Sequence, residues 1–169
     1  MEVTGGRAPG AGGYPPLMPN QPPSRPPSHR RTQPEPQTGR VLHLADRAAW
    51  ASAQATGQYS GSARGRSLAE VGYVHASTSA QLPAVMAAVY DGVPADDLVL
   101  LVVDLPAVAA RAIEVRWENL DGGTEPYPHL YGPIPVDSVV AALPLAPDDD
   151  ALVLPDLAGL GVLEHPSLD

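Results

Sequence analysis

Cysteine and lysine are both absent from the 169 residues. Without cysteine there is no disulfide, no thiolate nucleophile and no Cys-type zinc site, and redox chemistry points to no compartment. Without lysine, a Schiff-base lysine and a phosphate-loop lysine are excluded, and every basic side chain is an arginine. Long apolar runs are missing too. The longest stretch of branched aliphatics, Leu98 to Val103, is far short of the roughly 20 residues that span a bilayer as a helix, so no membrane partner is expected. Arg30-Arg31 lacks the apolar segment that must follow in a twin-arginine signal, which leaves a cytoplasmic location as the default expectation.

What is present is unevenly spread. Residues 1–40 hold 10 of the 21 prolines and almost no branched aliphatics, a composition that packs no core. Residues 1–39 are therefore expected to be a disordered Pro/Gly/Arg-rich tail, in which Met18 is a candidate alternative start. Pro23-Ser24-Arg25-Pro26 has the PxxP form of a docking peptide, although such matches arise readily in proline-rich tails. Residues 40–147 carry nearly all regular patterning and can bury one core, which predicts a single globular domain. Residues 148–169 form an acidic, Leu/Pro-containing tail. It could dock as a short helix, against which Gly159 and Gly161 argue.

Charge divides the same way. Five Arg against two acids give residues 1–40 a net +3, and five against eleven give 41–147 a net −6; the last 22 residues carry six acids and no base. An acidic domain repels phosphate backbones, so nucleic acid is not an expected partner. A protein partner recruited through the tails is compatible with this balance.

Residues 40–45 predict a short strand. Asp46 then stands as N-cap to a helix carrying Ala48, Ala49, Trp50, Ala53 and Ala55, stopped by Gly57. Gly61 to Ser67 predicts a flexible loop and 71–76 a second strand. Thr78-x-x-Gln81 has capping-box spacing, with Pro83 in the first turn. The helix that follows aligns Leu82, Val85, Met86, Val89 and Tyr90 as a core-facing stripe ending at Gly92. Asp97 to Leu105 predicts an aliphatic strand covered on both faces. Ile113, Val115 and Trp117 alternate with Glu114, Arg116 and Glu118, as in a half-exposed strand. A turn at 121–123 and a strand at 138–145 complete the series. Strands and helices mix without regular alternation, which predicts an α+β fold: a small mixed, mainly antiparallel sheet with two main helices.

Three of the five histidines stand in compact apolar-aromatic phrases: Val41-Leu42-His43-Leu44, Gly72-Tyr73-Val74-His75-Ala76-Ser77 and Tyr127-Pro128-His129-Leu130-Tyr131-Gly132-Pro133. Histidine serves as acid or base near neutral pH. Strand periodicity sets His43 opposite Leu42 and Leu44, sets Tyr73, His75 and Ser77 opposite Val74 and Ala76, and sets Arg116 and Glu118 opposite Trp117. In the right register His43, His75, Arg116 and Glu118 would line one polar hollow. His43 and His75 on opposite sides of the sheet would rule that out. Pro128, Gly132 and Pro133 predict a separate rigid loop projecting His129 and Tyr131.

Plainer readings stand beside these. Each histidine could be a hydrogen-bonded structural residue, and Arg116 with Glu118 a surface pair worth less than ~1 kcal/mol. Arg64 and Arg66 in the Gly61–Ser67 loop could cradle a phosphate. No His-x-His or His-Glu-x-x-His supports a metal site, and no Gly-x-Ser-x-Gly elbow supports a Ser/His/Asp triad. His29 and His165 lie in the tails and receive no role.

Taken in order, Val41 to Ala45, Trp50, Gly57-x-Tyr59, Ser67-Leu68, Gly72 to Thr78, Gln81-Leu82-Pro83, Leu98 to Leu101, Val115 to Glu118 and Pro128 to Pro133 resemble the domain of unknown function family 952 over about residues 40–146. The resemblance implies a small α+β domain. Its usual linker is shorter than the Gly61–Gly65 stretch here, which separates Arg64 and Arg66 from any family site. A more distant similarity is to the ADP-ribosyltransferase superfamily, including the RNA 2′-phosphotransferases. It rests on the first-strand His43, on Val74-His75-Ala76-Ser77 as a Val-His-x-Ser phrase, and on Glu118 as the late-strand glutamate.

That similarity implies a transferase using NAD, with His43 and His75 as hydrogen-bonding or acid/base groups and Glu118 stabilising an oxocarbenium-like state. Arg116, His129, Tyr131 and Ser77 would then bind a nucleotide-like or otherwise anionic small molecule. Two rivals remain: a non-catalytic protein-interaction or structural module, and a metal-dependent hydrolase using the histidines.

Overall fold

Asp46 divides the first strand from the first helix. In the computed structural model, which describes residues 37–120, 122–148 and 151–166, β1 (Arg40–Asp46) ends where the Asp46 carboxylate accepts from the Ala49 N–H at 2.9 Å. That bond caps α1 (Arg47–Thr56), and Gly57, at φ 84°, stops it. Of the tail expected to be disordered at 1–39, residues 1–36 lie outside the described residues.

β2 (Gln58–Tyr59) follows. The stretch expected to be a flexible loop is instead a small hairpin, β3 (Gly61–Ala63) and β4 (Arg66–Ser67). The second strand is shorter than expected, because Glu70 reaches back to the Ser67 N–H at 2.7 Å and boxes in a short helix, α2 (Leu68–Val71). Only β5 (Val74–His75) remains extended in a ladder.

α3 (Leu82–Val89) is entered through the Thr78/Gln81 box. The Thr78 N–H donates to Gln81 Oε1 at 3.0 Å, and the Gln81 N–H to Thr78 Oγ1 at 3.3 Å. β6 (Leu98–Asp104) stops one residue early, because Asp104 caps a further short helix, α4 (Leu105–Ala110), through the Ala107 N–H. Six strands complete the chain: β7 (Val115–Glu118), β8 (Tyr127–Leu130), β9 (Ile134–Pro135), β10 (Val139–Pro144), β11 (Ala146–Asp148) and β12 (Ala151–Val153). The architecture is α+β. Its two main helices, α1 and α3, are joined by two short ones, and its strand pairs are antiparallel.

Two three-stranded sheets organise the molecule, β1-β6-β10 and β5-β8-β7. β6 is central in the first, and residues 98 to 103 are all buried. Val99, Leu101 and Val103 pack with Trp50 of α1, Val108 of α4, and Leu130 and Ile134. Leu98, Leu100 and Val102 pack with Leu82, Met86 and Tyr90. Burying each such side chain contributes roughly 2 kcal/mol, so an unbroken aliphatic strand is driven to the centre.

The described residues 151–163 dock, but not as a short helix. β11 and β12 form a hairpin, and Leu152, Leu154, Leu157, Leu160 and Val162 pack on the α3 side of the core. Val162 bridges Arg40 in parallel, and the Arg40 guanidinium donates to the Leu160 carbonyl at 2.7 Å. Gly39, at φ 100°, leaves the space that the Leu163 side chain fills; a Cβ there would lie 2.7 Å from Leu163 Cδ2. No helix among the described residues is long and apolar enough to cross a membrane.

Candidate functional site

The two sheets touch at one backbone pair and then part. Leu42 and Ser77 exchange both ladder hydrogen bonds at 2.8 Å. A continuing antiparallel ladder would next join Leu44 to His75. Instead the His43 ring bonds the His75 carbonyl at 2.6 Å, and the Tyr90 hydroxyl donates to the Leu44 carbonyl at 3.0 Å. Side chains thus satisfy the backbone groups that the ladder abandons, and a wedge opens between β1 and β5.

Pro128 ends β5 from the other side. Its carbonyl accepts the Ala76 N–H at 2.9 Å, but it has no N–H to return. The chain therefore leaves β8 at Ala76 and crosses to β1 at Ser77.

His129 does not lie on a rigid loop, as Pro128, Gly132 and Pro133 had implied. It sits in β8, the central strand of the second sheet, opposite His75 on one side and Arg116 on the other. The bend comes only at Tyr131 and Gly132. Trp117 faces Pro128 across the ladder, a position where a missing N–H breaks no bond to β7.

In this register one face carries Tyr73, His75 and Ser77, then Tyr127, His129 and Tyr131, then Glu114, Arg116 and Glu118. The opposite face, with Val74, Leu130 and Trp117, packs on the core. The rings crowd together: the His75 and His129 centroids are 5.1 Å apart, and Tyr73 lies 4.5 Å from His129 and 5.5 Å from Tyr131.

This face, the outer edge of β1 and one side of α3 enclose a cavity of about 510 Å³. His43, His75, Ser77, Glu118 and His129 all line it. Arg116 and Tyr131 do not; they stand behind Glu118. Tyr131 donates its hydroxyl to Glu118 Oε2 at 2.7 Å, and His129 Nδ1 lies 3.5 Å from the same oxygen. Arg116 stacks over the Tyr131 ring at 4.3 Å and is held by Glu114 through two hydrogen bonds of 2.8 Å. The Glu114 bonds push the exposed Arg116 guanidinium further up, and the bond to Glu118 raises the Tyr131 phenol. Val89, expected in the core-facing stripe, faces the cavity and is 42% exposed, whereas Val85 packs against the core while also lining the cavity.

Sequence reasoning missed Asn119, Leu120 and Glu125, which also line the cavity. No motif marks them. Gln81 could have pointed there, because its side-chain amide, beyond completing the box, donates to Glu125 Oε1 at 3.1 Å and to the Pro126 carbonyl at 2.8 Å.

His43 is buried in the wall of the site. Burial without a counter-charge lowers its pKa from 6.5 to about 4, with the His75 charge adding to the effect and the bond to the His75 carbonyl opposing it. It is therefore neutral at pH 7. Its Nδ1 carries the proton, because only a donor can bond a carbonyl, and its Nε2 presents a lone pair. The cavity lining also includes the carboxylates of Glu118 and Glu125. Among the described residues no group of three or more His, Asp or Glu is arranged to hold a metal ion.

The sequence matches the family described as Protein of unknown function (DUF952) over residues 44–142. The crystal structure of protein CC0527 from Caulobacter crescentus is 30% identical and superposes with a TM-score of 0.57, covering 72% of this chain and 96% of that one. The solution NMR structure of the same protein gives 31% identity, a TM-score of 0.54 and coverage of 72% and 95%. No curated protein matches the chain.

Proposed function

We infer that this chain, which belongs to the DUF952 family, uses the cavity between α3 and the second sheet to bind a nucleoside-like small molecule and to transfer its ribosyl group. One observation carries the reading: His43, His75, His129 and Glu118, from four different strands, line a single cavity of about 510 Å³. That volume suits a small-molecule site.

In the proposed reaction the bond between C1′ of the ribose and its base breaks, and the electron pair leaves with the base. An acceptor hydroxyl or water bonds to C1′ and gives its proton to His75. Glu118, held by Tyr131, stabilises the positive charge that develops at C1′. His43 and Ser77 hold the sugar, and His129 and Arg116 keep the Glu118 carboxylate in place. NAD and nicotinamide riboside are the test substrates.

The experiment is a thermal-shift screen with NAD, ADP-ribose, nicotinamide riboside, adenosine and zinc, followed by an assay of nicotinamide release. A ligand present at a hundred times its Kd stabilises the fold by ~2.7 kcal/mol. Glu118→Gln should bind as the wild type does and release no nicotinamide. Absence of any nucleoside or nucleotide shift, with no nicotinamide released, would sink the reading. A shift with zinc alone would favour the metal-dependent rival.

A further inference from the structure

No residue of α3 carries a polar side chain. The helix reads Leu-Pro-Ala-Val-Met-Ala-Ala-Val, and a helix apolar all round is expected to be buried all round. Leu82 and Met86 are buried in the core, but Pro83, Ala84, Ala87, Ala88 and Val89 are exposed.

The large apolar side chains left in water gather around this same helix. Among the described residues four are exposed, Val89, Leu120, Val140 and Val153. Val89 belongs to α3 itself. Leu120 lines the cavity of about 510 Å³ together with Ala84, Ala88 and Val89. Val153 lines a second groove, of about 790 Å³, together with Pro83 and Ala87. Val140 alone lies apart, on β10. Scattered apolar side chains on a surface are ordinary, but three gathered about an uncharged helix make a patch, and such patches mark contact surfaces.

Charge and shape indicate what covers it. No arginine lines either groove; the acids there are Asp91 in one and Glu118 and Glu125 in the other. A helix that lies on a membrane presents Lys or Arg beside its apolar face, and an anionic surface would be repelled by these acids and by a chain of net charge −9. Two copies of this chain repel each other over most of their surface as well, but two α3 faces meet without a charge between them. Ala84, Ala87 and Ala88 share one side of the helix, and small side chains let two helices approach to about 8 Å.

The size of the face sets the strength of the contact. Eight helical residues span about 12 Å, and with Leu120 and Val153 beside them the face offers on the order of 500 Å². Two copies would bury on the order of 1,000 Å² in all, the lower end of specific interfaces.

We propose that the exposed face of α3, bordered by Leu120 and Val153, is where two copies of this chain meet as a two-fold symmetric dimer, α3 packing on α3. The dimer is weak and concentration-dependent, and salt strengthens it by screening the acids that border the contact. It stands independently of the ribosyl-transfer reading.

Sedimentation velocity on the full chain, from ~5 µM to ~1 mM, tests this. The weight-average mass should climb from one chain toward two, with half the chains paired at roughly 10–300 µM. Affinity should rise several-fold between ~50 and ~500 mM salt. Ala87→Glu keeps a good helix former and puts a charge in the middle of the face, so it should weaken pairing at least ten-fold. Leu120→Glu should do the same from another element, and it carries the test if Ala87→Glu folds poorly. Val140→Glu, away from the face, should leave pairing as it is.

A chain that stays monomeric to ~1 mM overturns the proposal. So does a dimer that survives Ala87→Glu and Leu120→Glu, that is lost in Val140→Glu, or that weakens as salt is added, because each of these puts the contact on another surface.

Discussion

Acidification should destabilise this protein through one residue to a measurable extent. In the unfolded chain the His43 imidazole takes a proton below about pH 6.5; in the folded protein burial holds it neutral down to about 4. Between those values the unfolded state carries one proton more than the folded state, so stability falls as pH falls. Each pH unit in that window costs up to ~1.4 kcal/mol, and the whole window about 3 kcal/mol. That is a large share of the 5–15 kcal/mol typical of a domain.

The His75 carbonyl and the Tyr59 ring lie against His43, and other groups titrate in the same range, so a difference measurement is needed. His43→Leu keeps every other titration and removes this one. At pH 7 the variant should be less stable, by about 1–3 kcal/mol, because the buried His75 carbonyl loses its donor. By pH 4 that gap should have closed or reversed. Urea unfolding, followed by the fluorescence of the buried Trp50 and half-buried Trp117, measures both proteins from pH 4 to 7.5. A gap that stays constant to within ~0.5 kcal/mol over this range would refute a buried neutral His43.

Two further outcomes follow from local geometry. Asp46→Ala removes the oxygen that accepts the Ala49 N–H at the start of α1 and should cost about 1 kcal/mol, seen by calorimetry as a Tm lower by a few degrees. Gln81→Leu strips partners from the Thr78 N–H, Glu125 and the Pro126 carbonyl at a position 2% exposed. It should cost about 2–4 kcal/mol in urea unfolding and speed hydrogen exchange across 119–126, whereas unchanged exchange there would show that Gln81 does not hold that segment.

Local signals in the chain were enough wherever the physics is local. Asp46, Gly57 and the Thr78/Gln81 pair announce the ends of α1 and α3, because capping involves residues three or four apart. The aliphatic run of β6 announces its own burial. The Ser67/Glu70 box and the Asp104-x-Pro106 cap were also written locally, but a strand-like neighbourhood masked both. Pro128 misled for a different reason. Proline argues against an interior strand position only if its missing N–H is needed, and that depends on which neighbour faces it.

Parity along single strands was legible too. Alternation placed His75 with Ser77 and Arg116 with Glu118, since side chains on one strand alternate whatever the fold. The sequence by itself therefore determined the family, the caps of α1 and α3, the buried strand and the strand faces taken by His43, His75, Ser77, Arg116 and Glu118. Only the tertiary structure decided which strands share a face, that His129 stands between His75 and Arg116, and that Arg116 remains outside the cavity. It also supplied Asn119 and Leu120. These depend on pairing between segments tens of residues apart and on where a ladder stops, and both are decided by long-range hydrogen bonds and packing that no local pattern encodes.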